Sequence, residues 1–156
     1  MHKHILISTD GSELSQKALD YGMELAQSVG AKVTVMTVSP PFHMFAVEPM
    51  LVTDTPDVYE KHAEEIAEKR LNAAKLSAAA AGIACQTLHV VHEQPYRAIV
   101  DTAAKNACDL ILMASHGRRG VSAIVLGSET VKVLTHSAIP VLVFRAPHYS
   151  PLDVVS

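Results

Sequence analysis

Residues 4–38 run HILISTDGSELSQKALDYGMELAQSVGAKVTVMTV, and the residue types follow the order strand, turn, helix, stop, strand. The first six, HILIST, are mostly apolar and β-branched, and Asp10-Gly11-Ser12 after them is turn chemistry. From Leu14 the apolar residues Leu14, Ala18, Tyr21, Leu25 and Val29 recur at three- and four-residue steps, the signature of one helix face. Ser12 is placed to cap that helix and Gly30 to end it. The run KVTVMTV at 32–38 then predicts a second strand. Two apolar strands joined by a helix predict a parallel pair with a right-handed crossover.

The same alternation continues along the chain. Further β-rich runs stand at 84–91 (ACQTLHVV), 109–114 (DLILMA) and 139–144 (IPVLVF). Between them, residues 57–81 carry the stripe Ala63, Ile66, Ala67, Leu71, Ala74 and Ala78, with a Glu65–Lys69 pair at i,i+4 and Gly82 as the stop. A third helix is expected from Pro95, with Ile99, Val100, Ala103 and Ala104, and a fourth from Ser128 to His136 through Val131 and Leu134. Strand-helix repetition of this kind predicts an α/β fold, a five-stranded parallel sheet with helices on both faces. A hydrophobic fraction of 49% with 4% aromatic residues and no Trp suits such a core of Val, Ile, Leu and Ala. With 156 residues, one domain is expected over 1–146, followed by a short C-terminal tail at 147–156.

Charge and composition exclude several function classes. A formal net charge of −3 provides no global positive field, so nucleic acid is not an expected partner. No stretch approaches the roughly 20 apolar residues of a membrane span, and the N-terminal MHKHILIS is too short for a secretory apolar region; a cytoplasmic protein without membrane contact is expected. Cys85 and Cys108 form no C-x-x-C pair and sit among apolar neighbours, the setting of small buried thiols. His89 and His92 fall at the end of a predicted strand, on opposite faces and without a carboxylate cluster, which is poor metal chemistry. The segment 39–54, SPPFHMFAVEPMLVTD, has three prolines, two phenylalanines and two methionines without a period, and is expected to serve as a lid or as an interface.

Residues 114–128, ASHGRRGVSAIVLGS, hold the candidate site. They leave the carboxyl end of the fourth predicted strand, where ligands of open α/β sheets collect. With five strands and two crossovers each way, the first and fourth are neighbours, and STDGS at 8–12 faces the same crevice. Gly117 and Gly120 let main-chain N–H groups approach an anion, Arg118, Arg119 and His116 add positive charge, and Gly127-Ser128 opens a helix whose first amides favour negative charge. By spacing alone this is a phosphate-binding turn, against the alternative that the glycines only shape a loop and Ser128 is an ordinary cap. It is neither G-x-x-x-x-G-K nor G-x-G-x-x-G. No Ser, Cys or His is visibly paired with a base, so a binding module is expected in place of a catalyst.

The stretches ILISTDGSELSQKALDYGMELA, MASHGRRG, LGSETVKVL and IPVLVFR together resemble the universal stress protein family over about residues 3–145. The most specific part is the G-x-x-G, nine-residue, G-S/T signature, here Ala114-Ser-His-Gly117, then RRGVSAIVL, then Gly127-Ser128. The resemblance implies an α/β/α Rossmann-like sandwich with strand order 3-2-1-4-5, ATP binding, and a homodimer through strand 139–144. It places adenine and ribose against Ser8, Thr9, Asp10 and Val38 with Met113 flanking the base. It places the phosphates on Ala114, Ser115, His116, Gly117, Arg118, Arg119 and Gly120 and on Gly127, Ser128, Glu129 and Thr130. Family members without the signature do not bind ATP, and a nucleotide-free dimeric scaffold or a slow ATP hydrolase or phosphotransferase are the rival expectations.

Three residues test that mapping. Ala114 stands where the signature has Gly, and if its φ were positive the methyl would cost about 1–2 kcal/mol. Glu129 puts a carboxylate near the expected phosphates, which requires that it turn away or that a divalent cation such as Mg²⁺ stand between them. Asp10 has both a nucleotide reading and a turn-capping one.

Overall fold

A computed structural model describes residues 1–45, 55–117 and 126–145. Five parallel strands form one sheet: β1 (His4–Ser8), β2 (Lys32–Ser39), β3 (Cys85–Val91), β4 (Leu110–Ala114) and β5 (Val141–Phe144), in the order β3-β2-β1-β4-β5. The helices are α1 (Glu13–Val29), α2 (Phe42–Phe45), α3 (Pro56–Ala81), α4 (Pro95–Lys105) and α5 (Ser128–His136). α1 and α3 cover one face and α4 and α5 the other, so the central strands β1, β2 and β4 are buried on both sides. Ile5, Ile7, Val33, Val35, Leu110 and Leu112 meet α1 and α3, while Leu6, Met36, Ile111 and Met113 meet Ala98, Ile99, Ala103 and Val133. That two-sided burial is why these strands lack an apolar/polar alternation.

The expected turn signals operate. Ser12 caps α1 by accepting from the Ser15 N–H, and Gly30 and Gly82 end α1 and α3 at φ of 71° and 67°. Thr55 caps α3, with Pro56 at its first position.

Some helix faces are rotated from the expected ones. α1 buries Ser15, Ala18, Leu19, Gly22, Met23 and Ala26; Leu14, Leu25 and Val29 flank the core, and Tyr21 is 41% exposed with its ring against Phe144. Gly22 explains the rotation. A Cβ there would meet Ile7 Cδ1 at 2.5 Å and Leu112 Cδ1 at 3.4 Å, so the helix lies on β1 along its smallest residues. On α5 the buried residues are Thr130 and Val133, leaving Val131 and Leu134 46% and 42% exposed. On α3 Ile66 is exposed, and on α4 Ala104 is exposed while Thr102 is buried. The i,i+4 ion pair that forms among the described residues is Lys17–Glu13, not Glu65–Lys69; solvated pairs of this kind have little net attraction to hold them.

Part of segment 39–54 is ordered by specific contacts. α2 places Phe42 edge-on to Tyr59 at 5.4 Å, and Tyr59 donates to the Pro40 carbonyl at 2.8 Å. His43 pairs with Glu93 in the β3–α4 connection. Residues 46–54 of that segment, the sequence 118–125 with Arg118, Arg119 and Gly120, and the tail from 146 lie outside the described residues.

Candidate functional site

Parallel pairing of β1 with β4 puts the turn Thr9-Asp10-Gly11 beside the exit of β4. The β1 turn is built from side chain to main chain. Asp10 Oδ1 accepts from the Ser12 N–H at 2.9 Å, the Gly11 N–H donates to Thr9 Oγ1 at 3.2 Å, and Gly11 takes φ 78°. Thr9 itself is buried, sharing a hydrogen bond with Ser15 Oγ at 3.1 Å and donating its N–H to the Met36 carbonyl at 2.9 Å. The capping reading of Asp10 therefore holds for one carboxylate oxygen.

The other oxygen faces the signature turn: a Cβ on Gly117 would strike Asp10 Oδ2. Gly117 is thus a point where two loops close on each other, in addition to any approach it allows a ligand. Gly127 has a similar duty. A Cβ there would meet His116 Cα at 3.1 Å and the Ser115 carbonyl oxygen at 3.3 Å, and its own N–H donates to that oxygen at 2.7 Å. The two glycines of the signature thus bring three residues together in a clasp, the first closing on Asp10 and the second on Ser115 and His116.

Thr130 completes the clasp. Its hydroxyl, buried in the first turn of α5, donates toward the carbonyls of Ala114 at 3.0 Å and Ser115 at 3.2 Å. The Ser115 N–H donates to the Phe144 carbonyl at 2.9 Å, and Ser115 Oγ lies 3.2 Å from His116 Nδ1. Thr130 thus holds the β4 exit from below, and its hydroxyl is committed to main chain. Nothing in the sequence names those carbonyls as its partners, because they lie across the fold.

Ala114 is the last residue of β4, in register with Phe144, and among the described non-glycine residues only Ala107 has positive φ. The alanine therefore carries no backbone strain. Glu129 turns away from the α5 mouth: one oxygen accepts from the Tyr96 N–H at 2.9 Å and the other lies 3.4 Å from Lys132 Nζ. It caps α4, whose own N-cap Gln94 supplies no side-chain bond. Gly127, not Ser128, is the N-cap of α5 and supplies none either, so Ser128 stands exposed in a first turn without a side-chain cap. Ser8 and Val38 are half-buried at the carboxyl ends of β1 and β2, while Met113 is buried in the core below β4, facing α4 and α5.

The other candidates have structural partners. His89 shares a hydrogen bond with Ser39 Oγ at 2.8 Å, and His92 Nδ1 accepts from the Gln94 N–H at 2.9 Å. Burial, with Arg70 nearby, holds His89 below its ordinary value despite Glu64. Burial and then Asp109 push the Cys108 thiol up to about 11, and burial also raises Cys85, so neither is an activated thiolate. Among the described residues no group of three or more His, Cys, Asp or Glu side chains is placed to hold a metal, and no helix is long and apolar enough to cross a membrane.

Against this geometry, the profile of the universal stress protein family matches residues 1–145. The chain belongs to that family. Universal stress protein YxiE of Bacillus subtilis is 30% identical over 152 residues, covering 93% of this chain and 100% of its own. Among solved structures, the hypothetical protein MJ0577 superposes with a TM-score of 0.80 at 28% identity, covering 96% of this chain and 99% of that one. Two family structures carry nucleotides. One is a universal stress protein in complex with cAMP (TM-score 0.64, 24% identity, 92% and 97% covered), the other the Archaeoglobus fulgidus protein in complex with dAMP (0.63, 20%, 92% and 97%). The expected α/β/α sandwich and its strand order 3-2-1-4-5 are those of the fold described above.

Proposed function

We propose that this universal stress protein is a nucleotide-binding module that takes ATP at the carboxyl ends of β1 and β4. The observation that carries the reading is the convergence at Gly117 and Gly127. Asp10, the 114–117 turn and the uncapped first turn of α5 meet within one clasp, with main-chain N–H groups and a helix dipole suited to phosphate oxygens. The retraction of Glu129 onto α4 removes a negative charge from that mouth, so phosphates can be held there without Mg²⁺. The cAMP and dAMP complexes of the two relatives support an adenine nucleotide as the ligand class.

Calorimetric titration with ATP tests this, on the wild type and on Gly117→Val, with and without chelator. Binding by the wild type that is lost in the variant is expected, and equal affinity with chelator is expected if Glu129 stays on α4. Binding that survives Gly117→Val unchanged overturns the location. Asp10→Ala should lower stability through the lost Ser12 bond as well as lowering affinity; an unchanged affinity would assign Asp10 to the turn alone.

The same reading makes the protein a homodimer and a binding module in place of a catalyst. β5 is a four-residue edge strand, half-buried throughout, and the exposed Val131 and Leu134 on α5 supply apolar surface on the same side of the fold. Sedimentation of Val131→Glu/Leu134→Glu, expected to self-associate less than the wild type because the β5 contact is lost, checks the dimer. Turnover of ATP at the level of a no-enzyme control is expected; sustained hydrolysis would overturn the non-catalytic part.

A further inference from the structure

The second edge of the sheet carries an independent feature. β3 pairs with β2 one-to-one over seven residues, from Val33–Cys85 to Ser39–Val91, without a bulge. The bonds from the Val33 N–H to the Ala84 carbonyl and from the His92 N–H to the Ser39 carbonyl fix its parity. Even-numbered residues face β2, so the N–H and C=O groups of Cys85, Thr87, His89 and Val91 point outward. Among the described residues none of these outward groups has a hydrogen-bond partner. CQTLHVV also lacks Lys, Pro and Gly, the usual guards of a sheet edge. Val91 is 58% exposed at its end.

A cleft of about 270 Å³ runs beside this edge between α3 and β3, lined by Glu64, Glu68, Asn72 and Lys75 above Thr87 and His89. The α3 residues are exposed, and no ion pair within α3 joins either glutamate to Lys75. Two acids thus stand toward the N-terminal half of the stripe and one base toward its C-terminal half.

We propose that β3 pairs antiparallel with β3 of a second copy of this chain about a two-fold axis. A register centred on Leu88 sets Thr87 opposite the second copy's His89 and Cys85 opposite its Val91, so that all four outward residues exchange both main-chain bonds. Val91 is covered at the same time. α3 packs over both β2 and β3. With strands about 4.8 Å apart, the two α3 axes then lie about 10 Å apart, near the 8–10 Å spacing of packed helices. They run antiparallel, and Lys75 of each copy meets the Glu64–Glu68 end of the other. Self-complementary charge of this kind is what an isologous interface requires.

The test combines sedimentation equilibrium with amide hydrogen exchange on the full chain, for wild type, Lys75→Glu, Glu64→Lys/Glu68→Lys, and all three together. Self-association with protection of the Cys85, Thr87, His89 and Val91 amides that rises with concentration is expected. Each partial inversion should weaken that association about tenfold, since both symmetry-related clusters then carry like charge, and the full inversion should restore it to within about threefold. Melting temperatures near that of the wild type exclude misfolding, because the three residues are exposed. Outward β3 amides that exchange freely at every concentration overturn the proposal, as does association indifferent to all three variants. Association through β5 alone gives the first of those results and is told apart by it.

Discussion

Replacing Thr130 with Val tests the clasp at its most economical point. The side chain keeps its shape and loses a hydroxyl that is buried and shared between the Ala114 and Ser115 carbonyls. Ser115 O retains the Gly127 N–H at 2.7 Å, so the loss falls mainly on Ala114 O. Removing the donor to one buried carbonyl destabilises by about 1–3 kcal/mol. For a domain of this length that is a fall in melting temperature of about 3–9 °C. Denaturant titration at matched m-value reads the first figure and calorimetry the second. Thr130→Ser keeps the donor and should lose less than Thr130→Val. If the valine variant unfolds within about 0.5 kcal/mol of the wild type, the hydroxyl does not hold α5 to β4 and the clasp is misread.

Three further outcomes are expected. Burial, with Lys32, holds His4 below its ordinary value of 6.5, outweighing Asp109 and a backbone bond, and the ring shares a 2.7 Å hydrogen bond with Thr34 Oγ1. The unfolded chain takes up that proton first, so the stability is complete above pH 6.5 and declines as pH falls below it; His4→Gln should flatten urea midpoints between about pH 7 and 5. Gly22→Ala gains up to about 1 kcal/mol of helix propensity, but overpacking against Ile7 and Leu112 opposes it by about 1–3 kcal/mol, so a net loss is expected that Ile7→Val relieves; a more stable Gly22→Ala single variant would refute the close approach. Ala114→Gly should lower stability by about 0.5–1 kcal/mol and leave ATP affinity within about twofold, because the residue is already in strand conformation; a large gain in affinity would mean the methyl obstructs the ligand.

The sequence specified the strands and the punctuation of the helices because those depend on local chemistry. Ser12, Gly30 and Gly82 act within their own turn, and the apolar runs at 32–38 and 109–114 are buried whichever strands flank them. The rotation of α1 was not legible, since a count of apolar residues ignores Gly22 and Ser15, and it was their small size that drew the helix onto β1. At the site, the spacing of Gly117 and Gly127 was visible, but not that the first packs on Asp10 and the second on Ser115 and His116. Glu129 shows the same limit. Its carboxylate next to Ser128 suggests repulsion of phosphate, and only the arrival of Tyr96 from α4 gives it another role.

That shared carboxylate joins two helices that the chain separates by a whole strand. α5 begins at the signature turn, and its second residue holds the opening turn of α4 in place. Whatever tilts α5 by even an ångström must therefore stretch the Tyr96 bond or drag α4 with it. A displacement at the signature turn thereby has a mechanical route to the outer surface of α4, on the same face of the sheet, without any change in the strands beneath.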